Sequence, residues 1–175
     1  MIKKASLFGL ISAIAYILWL IIVVKTGLSK KEITFNFPLL INAIIISIPM
    51  YLGLQYIKKN QYDGSINYAQ AFYSGAFISV FSGIFVFIIL ALFEKINFLI
   101  PELLAELKSS TLLYLQSEKK TPEEIKNIMY DYDSSFFIAK GHFPPILLMS
   151  IFSSTVVSLL VRNKDTFTET NSEIK

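Results

Sequence analysis

Cysteine is absent from the 175 residues, and histidine and tryptophan occur once each. Without cysteine there is no disulfide framework, thiolate metal site or lipidated cysteine. With His142 as the one imidazole, no histidine cluster can hold a metal, and a nucleophilic triad would have to use that same residue. Charge is also scarce: Asp, Glu, Lys and Arg make up 17% of the chain, against about a quarter in soluble domains, whereas 54% is hydrophobic. The net charge of +3 is small and dispersed, so nucleic acid is not expected as a partner. Glycine-rich phosphate loops, strand patterns and nucleophile-elbow motifs are missing too. No catalytic residue, cofactor or metal is predicted, and the chain reads as non-enzymatic.

What is present is a set of long uncharged runs. No charge falls between Lys4 and Lys25, Glu32 and Lys58, Asp63 and Glu94, or Lys140 and Arg162, gaps of 20, 25, 30 and 21 residues. At about 1.5 Å rise per residue, about 20 helical residues cross a hydrocarbon core of about 30 Å. Four transmembrane helices are therefore predicted, over about 5–24, 38–57, 67–93 and 144–161. Ala13-Ile14-Ala15 has the form of a signal-peptide cleavage site, but the apolar run continues from Tyr16 to Val24, so the first span is expected to be retained. Pro38 suits the first turn of span two, Pro49 should kink it, and Pro144-Pro145 would open span four.

Residues 95–140 are too many for a structureless loop. Leu103, Leu104, Leu107, Thr111 and Leu115 fall near one helical face after Pro101. Thr121-Pro122-Glu123-Glu124 has the form of a capping box, leading a second stripe of Ile125, Ile128, Met129 and Tyr132. The expected fold is all-α: an integral membrane four-helix bundle with an amphipathic two-helix insert, about 101–136, between spans three and four. Residues 1–163 would form one membrane domain and 164–175 a disordered tail. Four spans put both termini on one side. The segments there hold seven basic residues in 24 positions, against nine in 54 on the other side. Density near span ends orients helices, so both termini are expected in the cytoplasm.

With these boundaries no acid or base lies inside a span, which argues against a proton-coupled carrier. The intramembrane polar groups are amides and hydroxyls. Asn42, Gln70, Ser74, Ser150 and Ser154 could line a polar path, although such groups more often bond between helices, at about 0.6 kcal/mol each. Ala71, Gly75, Ser79 and Gly83 recur every fourth residue, a small-residue stripe where another helix can approach closely. That helix could belong to the same chain or to a second copy. Glu94 and His142 would sit on one side as an interfacial pair able to sense pH, the blander reading being a histidine beside a helix start. Asp63-Gly64 marks a turn and Asn67 a helix cap.

The segment order resembles a family of bacterial membrane proteins known as domain of unknown function 4199. The residues that carry the likeness are Gly53-Leu54-Gln55-Tyr56-Ile57-Lys58-Lys59 at the end of span two and Ile66-Asn67-Tyr68-Ala69-Gln70-Ala71-Phe72 at the entry to span three. The latter is similar to a Gly-Gln-Ala-Phe run of that family, with Ala69 in the glycine's place. The resemblance implies a four-span protein of the bacterial inner membrane and no particular activity. The expected role is a non-enzymatic helix-packing or assembly component of the lipid bilayer, with a homo-oligomer or membrane-protein partner. The alternative is a small-solute permease or channel subunit acting as an oligomer.

Overall fold

Backbone groups inside a bilayer have no water to bond, so an apolar run of this length must close its hydrogen bonds within itself, as a helix does. A computed structural model describes residues 2–26, 36–98, 100–130, 132 and 136–163, with the side chains of 36–40, 106, 107 and 110 outside that description. Most of the link expected between spans one and two, residues 25–36, falls outside it as well, as do the tail over 164–175 and the Leu107 side chain. Most of the described residues are helical and none forms a strand: α1 (Ile2–Thr26), α2 (Asn36–Gln61), α3 (Tyr68–Lys95), α4 (Ile100–Ser117), α5 (Pro122–Tyr130) and α6 (Phe137–Val161). Four of them are long and apolar enough to cross a membrane: α1, residues 41–61 of α2, α3 and α6.

The four spans form a ring in which α3 packs most extensively on α6, then on α1, and α2 closes the circle between α1 and α6. One end of the bundle gathers the start of α1, the ends of α2 and α6, and the α2–α3 turn. Lys4 Nζ donates to the Tyr56 hydroxyl at 3.0 Å, Lys58 Nζ to the Val161 carbonyl at 2.9 Å, and Asn163 N–H to the Ile66 carbonyl at 3.0 Å. In the turn, Asp63 (φ 48°) and Gly64 (φ 82°) adopt the left-handed conformation that the Asp-Gly pair favours. At the opposite end, Lys25 pairs with Glu102 at 3.0 Å, tying the end of α1 to the start of α4.

Span four differs from its predicted start at Pro144-Pro145. The helix begins seven residues earlier, at Phe137, and runs through both prolines. Proline removes an i to i−4 bond and kinks most soluble helices, but within a bundle neighbouring groups can re-satisfy the freed carbonyls. What starts the helix is a distant carboxylate: Ala139 N–H, three residues past the left-handed N-cap Phe136, donates to Glu94 Oε1 at 2.8 Å. Lys140 and His142 therefore lie within the α6 helix, ahead of the charge-free stretch over 144–161 that was expected to cross the membrane. Pro49, by contrast, is inside α2 as expected, and buried.

Between α3 and α6, Ile100, Leu103 and Leu115 of α4 are buried, whereas α5 buries no residue. The capping box forms at Thr121: its N–H donates to Glu124 Oε2 at 2.9 Å and Glu124 N–H donates back to Thr121 Oγ1 at 3.3 Å. The Tyr132 and Thr111 hydroxyls bond to each other, joining the segment after α5 to α4.

Candidate functional site

α3 meets a neighbour on two faces, and each face is built from side chains small enough to admit it. On the first, the predicted stripe of Ala71, Gly75, Ser79 and Gly83 is buried. A Cβ at Gly75 would overlap Ser154 Oγ of α6, and one at Gly83 would lie 3.3 Å from the Phe143 ring. The stripe therefore closes on α6 of the same chain and is not presented to a second copy. On the other face Gly9 of α1 lets that helix approach the α3 backbone, its Cβ position lying 3.0 Å from Ile78 O and Ser82 N. Gly53 makes the third such approach, between α2 and Phe8 of α1.

Polarity in this bundle runs outside in. Among the described residues, the buried polar side chains other than Tyr16 are serines: Ser12, Ser74, Ser79, Ser82, Ser150, Ser153, Ser154 and Ser158. Large apolar side chains point outward, among them Leu148, Phe152 and Leu160, each at least 68% exposed. A soluble bundle would expose a greasy surface of this kind to water at prohibitive cost; hydrocarbon is the solvent that fits it. Serine supplies small volume at the contact, and two of these hydroxyls show how such a group finds an acceptor among packed helices. Ser79 donates to its own Gly75 carbonyl at 2.9 Å, while Ser154 donates across to Phe72 O at 3.2 Å.

The residues predicted to line a polar path are not gathered around one. Gln70 completes a capping box on α3: Asn67 N–H donates to its Oε1 at 3.1 Å, and its own N–H donates to Asn67 Oδ1 at 2.9 Å. Ser74, Ser150 and Ser154 are buried among packed helices, and Asn42 is half-buried toward the other end of the bundle from Gln70. A groove of about 420 Å³ does exist, on the outer side between α2 and α6, but none of these five residues lines it.

Glu94 and His142 both contribute at the start of α6, each with a partner of its own. Glu94 holds Ala139 N–H, as above. His142 Nδ1 lies 2.9 Å from the hydroxyl of Tyr16 on α1, which donates to a neutral ring nitrogen and accepts from a protonated one. Tyr16 is 5% exposed, so this bond closes the interior between α1 and α6 with a polar link. Sequence reasoning missed Tyr16, because nothing local ties it to a histidine 126 positions away. Gly9 stands four residues before Ala13, a small-residue spacing that is local to α1, whereas the role of Gly53 depends on Phe8 in another helix. Among the described residues no group of three or more His, Cys, Asp or Glu is arranged to hold a metal.

A ring of four apolar helices around a serine-lined, close-packed interior defines a multi-pass membrane bundle. The chain belongs to the family described as protein of unknown function (DUF4199), whose model matches residues 7–163. No curated protein and no solved structure matches it.

Proposed function

We propose that this chain is a non-enzymatic, multi-pass component of the bacterial inner membrane, with both termini in the cytoplasm, that works by associating with another membrane protein or another copy. The observation that carries this reading is the way the small-residue stripe of α3 is taken up against α6, within the chain. A bundle closed in this manner offers its partners an outer surface, and the insert supplies one: α5 buries nothing, and Tyr130 is 78% exposed. The density of basic residues beside span ends supports the cytoplasmic placement of the termini.

The test is crosslinking in intact membranes. With a cysteine placed at Tyr130, a bifunctional thiol reagent is expected to give a discrete larger species, absent when the cysteine is at Asp63 at the other end. The competing permease reading predicts a solute flux in reconstituted vesicles that Gln70→Leu or Ser74→Ala abolishes without changing assembly. Such a flux, or the absence of any crosslinked species at Tyr130, would overturn the proposal.

A further inference from the structure

The groove between α2 and α6 faces the bilayer. Its walls are Ile44, Ile48 and Leu52 from α2 and Phe152, Val156 and Leu160 from α6. On α2 the lining runs from Ala43 to Leu52, about 14 Å at 1.5 Å per residue, close to the depth of one leaflet of a core about 30 Å thick. The groove stops at Leu160, one residue before α6 ends, and at Leu52 of α2, which runs on past it to Gln61; along that extension the chemistry changes. Lys58, one helical turn and a half beyond Leu52, reaches back to the Val161 carbonyl and so places its ammonium between α2 and α6. Lys59 follows Leu52 by seven residues, two turns along the same face, and is exposed. Arg162 directly follows α6. At this end of the bundle the described residues include Lys3, Lys4, Lys58, Lys59 and Arg162 against one acid, Asp63.

An apolar channel one leaflet deep, topped by cations, is complementary to an amphiphile with a hydrocarbon tail and an anionic head. We propose that the α2–α6 groove binds an anionic phospholipid of the surrounding bilayer, with an acyl chain along Ile44–Leu52 and the phosphate beside Lys58 and Lys59. A second copy fits the groove less well. Two copies inserted in the same orientation hold their basic ends at one level, so docking through this face would set Lys58 and Lys59 against their own equivalents.

The experiment is native mass spectrometry of the full-length protein taken from vesicles of equimolar phosphatidylglycerol and phosphatidylcholine. One retained lipid is expected, predominantly phosphatidylglycerol. Lys59→Gln and Lys58→Gln should each lower the ratio of the two lipids roughly fivefold, the change that about 1 kcal/mol per cation at an anionic surface gives. Ser47→Phe fills the groove from a half-buried position on its wall and should abolish retention of either lipid. Should that variant misfold, Leu160→Trp at the exposed mouth is the substitute. Lys25→Gln, at the far end, should change nothing. Equal retention of the two lipids, retention that survives a filled groove, or a disulfide between two copies carrying Phe152→Cys would overturn the proposal.

Discussion

At Gly75 the distance between α3 and α6 is set by a missing side chain, because a Cβ there would overlap Ser154 Oγ. Gly75→Ala is accordingly expected to destabilise the protein by about 1–3 kcal/mol, the range for overpacking. Ser154→Gly in the same chain should recover part of that loss, since the two sites share one contact. Gly141 is the control: nothing lies within 4 Å of its Cβ position, so Gly141→Ala should stabilise by about 0.4–1 kcal/mol through the unfolded chain. Thermal unfolding in detergent followed by circular dichroism reads all three, and a Gly75→Ala variant as stable as the parent would sink the argument. The four-residue spacing of Ala71, Gly75, Ser79 and Gly83 was legible because helical periodicity is local. That Ser154 fills the space beside Gly75 was not legible, since it depends on a register between segments 79 positions apart. Gln70 shows the same division: Asn67 could be read as a cap, while the reciprocal bond from its N–H to Gln70 turns an apparent path-lining amide into part of a helix start.

At the scale of elements, α5 is the helix whose stability should respond to acid. Backbone and side-chain bonds from Thr121, with Lys120 nearby, hold the Glu124 carboxyl below its ordinary value. A depressed carboxylate contributes stability that is full above the unfolded value, about 4.3, and disappears as pH falls through the lower folded value. Amide hydrogen exchange at the start of α5 should therefore quicken, beyond its intrinsic rate, as pH drops from about 5 to 3, and Glu124→Gln should flatten that response. The Lys25 bond lowers Glu102 in the same direction at the start of α4, so the insert loosens at two points over one pH window. The Thr121 box was legible because its whole mechanism fits in four consecutive residues. The start of α6 was not, because the prolines at 144 and 145 carry a strong local signal for a beginning, and the group that starts the helix is Glu94, brought from another element 45 residues away.

For the molecule as a whole, the four-span ring was legible from charge-free runs alone, since the hydrocarbon core dictates their length; the order of helices around the ring was not. Orientation is open to direct measurement, and the lack of cysteine makes it clean. A cysteine at Glu123 should react with a membrane-impermeant thiol reagent added to sealed cells, whereas one at Asp63 should react only after the membrane is opened. The reverse pattern would place the termini outside and remove the charge-density argument.

The gap of 41 residues between the end of α3 and the start of α6 also has a meaning in time. At about 5–20 residues per second of synthesis, α3 leaves the ribosome roughly 2–8 s ahead of the helix that covers its stripe. Through that interval Ser79 can already satisfy its hydroxyl on the Gly75 carbonyl of its own helix, so α3 can wait in lipid. α6 has no such independence, because its first turn is held by Glu94 and its last carbonyl by Lys58, both contributed by helices made earlier. The chain is thus arranged so that its last span is received by the first three, and a nascent chain arrested before Phe137 would leave behind a three-helix body with one side unfinished.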